Sequence, residues 1–400
     1  MRKLLVGLLW PLAAVYSQDN LSLNPVTVLE KSRAPEFTYD EAPTLDRGLR
    51  QTRKLPLVSF LNGGYGFRAK LGRPAPTSGF AAGVEYNAGN YTTGQVLFRT
   101  SARASTGRYL HADAEVAFPR LAGEKIFANV TAVHRNFPQL RYYGPGAGSR
   151  AEGITNFRLE DTRAEATAGV RPLRIVRLGA TASYLKINTG PGTSSRYFSI
   201  KRIYAPQQAT GLDRQTDYAA PGVFAEIDYT DHVGSPRSGG IYYARLTNYV
   251  DQQHGAYSFR GLDIDLRQFL PLFHEQRVFA LRAHGTFTDT PRGNLVPFYM
   301  QPTLGGPETM RAYPAFRFYG NNSMYFNAEY RWKLSTGIEM ALFTDAGKVF
   351  PNRRQIDLRG LQFCYGAGLR LNYRQGTFMR LDGGCGREGC QVWLRFHENY

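Results

Sequence analysis

Thr303-Leu-Gly-Gly-Pro-Glu-Thr-Met-Arg-Ala-Tyr-Pro-Ala-Phe-Arg-Phe318 is a long loop rich in Gly and Arg, set between two alternating stretches. Tyr325 to Trp332 follows it, and then Ile338 to Phe350, which carries Phe343-Thr-Asp-Ala-Gly-Lys348. Successive side chains of a strand point to opposite faces. Asn327, Glu329 and Arg331 therefore share one face, and Glu339, Phe343, Asp345 and Gly347 share one face of the next strand. The opposite faces are apolar: Phe326, Ala328, Tyr330 and Trp332, then Ile338, Met340 and Leu342. A loop that folds back onto the acidic face would place Arg311 where Glu329 or Asp345 can neutralise it. Gly305 and Gly306 allow the sharp bend that such re-entry needs. A lone loop arginine is ordinarily solvated; two carboxylates on one face of neighbouring strands argue for a locked one.

The same period of two runs outward from this region. Leu110, Ala112, Ala114, Val116 and Phe118 alternate with His111, Asp113 and Glu115, and Leu262, Ile264 and Leu266 with Asp263, Asp265 and Arg267. A soluble sandwich would alternate likewise. Here the polar face carries both charge signs in almost every strand, which fits an ionic lumen behind a lipid-facing wall. Segments beginning near Tyr65, Gly79, Tyr91, Arg108, Lys125, Ile154, Val176, Gly222, Gly240, Ser258, Arg277, Ser323, Gly337, Leu361, Gly376 and Cys390 predict about sixteen strands. Connections after even strands are short, as at Arg120–Glu124, Arg171–Arg174, Leu334–Thr336 and Asn372–Gln375. Several after odd strands are long: Gln139–Gly153, Asn188–Pro221 and Asp289–Asn322. Short turns on one rim and long loops on the other are the pattern of outer-membrane barrels. The fold class expected is therefore all-β, a sixteen-stranded antiparallel transmembrane β-barrel with its sixth extracellular loop folded inward.

Composition agrees. Charged residues make up 20% of the chain, and 25 Tyr, 25 Phe and 42 Gly suit aromatic girdles and close strand packing. Mean hydropathy is −0.37. Beyond the N-terminus no apolar run approaches the length of a membrane helix, whereas barrel strands need apolar residues only at alternate positions. The formal net charge of +17 is scattered along the strands and matches no nucleic-acid recognition module. Lipid phosphates, or a negatively charged nascent chain, are the partners such a charge would suit; a charged lumen and loops account for it more simply.

At the N-terminus, Arg2 and Lys3, the apolar run Leu4–Ala14 and the small-residue site before Gln18 read as an export signal over residues 1–17. Residues 18–56 read as a polar periplasmic linker and residues 57–400 as the barrel. Cys385 and Cys390 flank the turn signal Gly386-Arg-Glu-Gly389; a disulfide across that hairpin and two separate strand-end thiols are both open readings. No Cys/His cluster has metal spacing, no Gly-x-Ser-x-Gly elbow occurs, and no cofactor or catalytic group is expected. The close of the chain, with Val392, Leu394 and Phe396 on one face and Tyr400 last, suits an outer-membrane insertion signal carried by Phe396 and Tyr400.

The order of these features resembles the outer-membrane assembly-factor superfamily, the bacterial surface-antigen barrels of BamA/TamA type. Its sixth loop carries a V/L-R-G-F/Y motif, read here as Met310-Arg311-Ala312-Tyr313 with alanine at the usual glycine. Its F-x-D-x-G strand matches Phe343, Asp345 and Gly347. Further matches are Arg141-Tyr-Tyr-Gly-Pro-Gly146 and Asp231-His-Val-Gly-Ser-Pro-Arg-Ser-Gly-Gly240. The resemblance implies a bacterial outer-membrane barrel that takes part in insertion or translocation of protein or lipid. It implies a loop lock of Arg311, Tyr313, Glu329, Asp345 and Gly347. It also implies a lateral seam between the first strand (Tyr65, Phe67) and the last (Val392, Leu394, Phe396). Gly63, Gly64, Gly66 and Gly72 beside the first strand fit a poorly paired edge or barrel-corner curvature. The polypeptide-transport-associated domains usual in the family do not fit into residues 18–56, so a separate periplasmic partner would supply that arm. Expected partners are thus outer-membrane lipid, nascent outer-membrane or secreted proteins and that periplasmic protein, with no nucleic acid. A passive pore or structural barrel is the alternative.

Overall fold

A computed structural model describes residues 66–396 apart from residues 76–77, 89–95, 233–234, 274–275, 336 and 374–375; of Leu71, Tyr373, Gly376, Phe378 and Phe396 only the backbone is described. The signal and linker segments, Tyr65 and Tyr400 lie outside the described residues.

The strands in chain order are β1 (Phe67–Leu71), β2 (Ala81–Ala88), β3 (Leu97–Ser105), β4 (Leu110–Leu121), β5 (Ile126–Tyr142) and β6 (Thr155–Leu173). Next come β7 (Val176–Pro191), β8 (Tyr218–Asp228), β9 (Gly239–Asp251), β10 (Phe259–Leu272) and β11 (Arg277–Asp289). Two short strands, β12 (Thr303–Leu304) and β13 (Phe318–Tyr319), lie inside the long loop. The series ends with β14 (Asn322–Ser335), β15 (Ile338–Phe350), β16 (Gln362–Tyr373), β17 (Gly376–Gly386) and β18 (Gly389–Phe396). All but β12 and β13 form one 16-stranded sheet in sequence order, each strand antiparallel to the next. The period-two reading thus finds the count and the order.

Three boundaries expected from sequence shift. β5 runs on to Tyr142 and β7 to Pro191, through residues assigned to loops above, because the β5–β6 and β6–β7 ladders continue to Tyr142↔Thr155 and Phe157↔Pro191. Pro138 does not end β5: the register slips between Phe137 and Leu140, and a bulge is where a ladder tolerates a residue without an N–H. β8 likewise begins at Tyr218 and contains Pro221. β12 and β13, which pair as Thr303↔Tyr319 and Leu304↔Phe318, carried no readable signal, since two residues are too few to show a period.

Burial runs opposite to that of a water-soluble protein. Glu115, Asp265, Glu339 and Asp345 are at most 2% exposed, while Leu110, Leu266 and Leu342 are 39–53% exposed. Charged groups survive burial only when paired, and they are paired within and across strands. Arg267 and Arg282 both bond Asp265, Arg177 bonds Glu226, and Arg245 reaches Glu165 of β6. Asp263, which shares a face with Arg245, instead accepts from Thr286. The sheet curls enough to join distant strands: Arg237, in the β8–β9 connection, lies 3.2 Å from Glu339 of β15.

Candidate functional site

The loop between β11 and β14 is pinched at its base by β12 and β13, and its tip is a closed turn. Gly306 N–H donates to Tyr313 O, and Gly305 N–H to Thr309 Oγ1. Gly305 and Gly306 have φ of +113° and +99°, and a Cβ on Gly305 would stand 2.2 Å from Pro314 O, so the bend requires glycine. The loop lies against the charged face of the sheet. Leu304, Met310, Ala312, Tyr313 and Phe318 are buried with Tyr325, Val349 and Cys364 of the wall.

Arg311 is 3% exposed at the centre of this contact. Its Nε and Nη2 donate to the two oxygens of Asp345 at 3.0 and 2.6 Å, its backbone N–H donates to Asp345 Oδ2, and Nη1 donates to Glu329 Oε2 at 2.7 Å. The sequence offered Glu329 or Asp345 as alternatives; both are engaged. The guanidinium sits 3.4 Å from the centroid of the Phe343 ring, which adds a cation–π contact. The F-x-D-x-G spacing follows from these contacts. Phe343 supplies the platform and Asp345 the fork. Gly347 leaves room for Leu304 and Tyr325, which a Cβ there would approach at 3.2 and 2.9 Å. Tyr313 is fully buried, its hydroxyl 3.3 Å from Gln362 Oε1 and its ring edge-on to Phe318.

The site is wider than the sequence indicated. Glu329 also accepts from Arg331, Arg370 and Arg380. Asp382 of β17, fully buried, pairs with Arg370, Arg380 and Arg395, and Arg395 also pairs with Glu308 of the loop. Trp393 Nε1 donates to the Arg311 carbonyl at 2.7 Å, which ties the loop to the last strand. The one available signal was parity: Trp393 and Arg395 lie opposite the apolar Val392 and Leu394.

Ala312 stands where the family motif has glycine. Its φ is not positive, so an L-residue fits, and the space is found on the wall instead. A Cβ on Gly386 would meet the Ala312 methyl at 3.0 Å, and one on Gly384 would meet the Arg311 carbonyl carbon at 3.0 Å.

The residues named for a seam are less assembled. Phe67 is 37% exposed and packs on Tyr86 with ring centroids 4.7 Å apart, and Val392 is 55% exposed. β1 pairs with β2 and β18 with β17, and among the described residues no ladder joins β1 to β18. Cys385 and Cys390 are joined by a disulfide across the last hairpin, and Cys364 is a free buried thiol whose Sγ lies 3.2 Å from Asp345 Oδ2.

Known proteins agree with this architecture. BamA from Haemophilus ducreyi lacking POTRA domains 1–3 matches over 96% of this chain and 83% of that one, with 11% identity and a TM-score of 0.57. CdiB from Escherichia coli matches over 82% of this chain with 12% identity and a TM-score of 0.57, and CdiB from Acinetobacter baumannii over 79% with 13% identity and a TM-score of 0.50. The match spans 62% and 55% of those two CdiB chains. A comparison with curated proteins returns no match. The Omp85 superfamily domain model matches residues 58–382, most of the sequence. With sixteen antiparallel strands and an arginine-bearing loop seated on their charged face, the chain belongs to the Omp85 superfamily, outer-membrane barrels of protein insertion and translocation.

Proposed function

We propose that the sheet closes into a barrel in a bacterial outer membrane, with β1 meeting β18 and the loop 303–318 inside. In this reading the barrel inserts or translocates proteins, nascent outer-membrane or secreted chains, with a separate periplasmic partner delivering them. The observation that carries the reading is the tie of one loop both to the wall and to the last strand. Arg311 is forked to Asp345 and Glu329 on the wall, while its carbonyl is held by Trp393 of the last strand. A loop so placed can both obstruct the lumen and report the position of β18. Among the described residues β1 spans five, the fewest of any strand in the sheet, and the junction it makes is the weakest place for lateral opening.

Closure itself is tested by gel mobility. Unboiled protein in mild detergent is expected to migrate apart from boiled protein, because a closed ladder resists the detergent; identical mobility together with a helical circular-dichroism spectrum refutes the barrel. For activity, the full chain is reconstituted in liposomes and offered a urea-unfolded eight-stranded outer-membrane barrel. Folding faster than in empty liposomes is expected, and small fluctuating conductance in planar bilayers should grow when residues 303–318 are deleted. Large steady conductance in the intact chain with no acceleration of folding would identify a passive pore.

A further inference from the structure

The loop is pinned a second time, at its base, by a group outside any motif. Arg317 is 1% exposed although it lies at the long-loop end of the sheet. Its Nε and Nη2 donate to the two carboxylate oxygens of Glu388, both at 2.7 Å. Nη1 and Nη2 also reach Ser149 Oγ at 2.8 Å and Ser149 O at 2.6 Å. The guanidinium lies between Tyr143, 5.0 Å away, and Phe318, 4.6 Å away. One side chain therefore joins three segments remote in sequence: the β5–β6 loop, the base of the long loop and the turn of the last hairpin.

The neighbouring residues make the junction rigid. Gly146 N–H donates to Tyr319 O at 2.7 Å, and Tyr319 Oη donates to Arg141 O at 2.8 Å, so Arg141-Tyr-Tyr-Gly-Pro-Gly146 is strapped to the base of the long loop. On the other side Glu388 sits in a two-residue turn, Arg387-Glu388, closed by the pairs Gly386↔Gly389 and Cys385↔Cys390 and by the disulfide. A bidentate arginine–carboxylate pair held at both ends gives direction as well as energy.

We propose that Arg317 and Glu388 are positioning residues for the last hairpin. They form an outer clasp that holds the β17–β18 turn against the loops, so that β18 separates only when this pair breaks. The role at the seam rests on the function proposed above; the clasp does not.

Hydrogen exchange of the full chain in detergent micelles, with no substrate present, tests it. Glu388→Gln should raise exchange across residues 385–396 by about tenfold, the order of factor a hydrogen bond to a charged group supplies, and leave β5–β7 unchanged. Arg317→Lys keeps the charge but loses the fork, and should loosen the same residues to a smaller extent. Both variants should raise the frequency of brief openings in planar bilayers. Wild-type exchange of 385–396 in Glu388→Gln, or a rise spread evenly over all strands, overturns the clasp. A loosened hairpin with unchanged openings overturns its control of the seam. Failure of the wild-type chain to assist folding counts against the functional reading and leaves the exchange result standing.

Discussion

Arg311→Ala is expected to unseat the loop and lower barrel stability by about 3–5 kcal/mol, the cost typical of breaking a buried ion pair from one side. Asp345 is 0% exposed, and Arg311 is its cationic partner, with Asn327 Nδ2 and the Cys364 thiol as further donors. Without the guanidinium a buried carboxylate is left with neutral donors. Asp345→Asn should therefore have a similar effect, and Arg311→Ala/Asp345→Asn should be no worse than either single change, because the two act as one unit. Glu329 behaves differently: Arg331, Arg370 and Arg380 also bond it. Glu329→Gln should disturb those arginines as well as Arg311, so with Arg311→Ala it should combine less than additively yet cost more than Arg311→Ala alone. Urea unfolding of the three single and two double variants, followed by gel mobility, measures all these terms. A silent Arg311→Ala, or additive losses at 311 and 345, would leave Arg311 an ordinary loop residue and reduce the family likeness to a shared fold.

Gly384→Val gives a test by sign. Valine raises strand propensity, so on an open wall it should be neutral or stabilising. Here a Cβ at 384 would lie 3.0 Å from the Arg311 carbonyl carbon and 3.2 Å from Ala312 N, backbone atoms that cannot swing aside. The substitution should cost roughly 1–3 kcal/mol, as overpacking does, and raise conductance by pushing the tip off the wall. Gly383→Val is the control, since its Cβ would meet nothing nearer than Ala367 O at 4.0 Å. Deleting 303–318 should make Gly384→Val harmless. If the valine costs the same with and without the loop, the tip does not dock on β17.

The two tests draw on information of different kinds. The Asp345 and Glu329 partnership was legible because parity is local: a strand of period two commits each residue to a face, and two glycines permit the loop to bend back onto it. The Gly384 dock and the Trp393 tie were not legible, because they depend on which distant strand a loop tip meets after the sheet has curled. No periodicity within β17 or β18 carries that.

By itself, then, the sequence determined the strand count and order, the face of each residue, the alternation of short and long connections and the arginine–carboxylate chemistry of the loop. All of these arise from near neighbours in the chain and the pleat. Only the tertiary structure decided that Arg311 takes both carboxylates, and that Asp382 gathers Arg370, Arg380 and Arg395 from three strands. It alone decided that Ala312 is tolerated because glycines on the facing wall yield the space, and that Arg317 reaches Ser149 and Glu388. The physical reason is that charge pairing and close packing select partners by distance in space, and a curled sheet with an inserted loop brings together residues far apart along the chain.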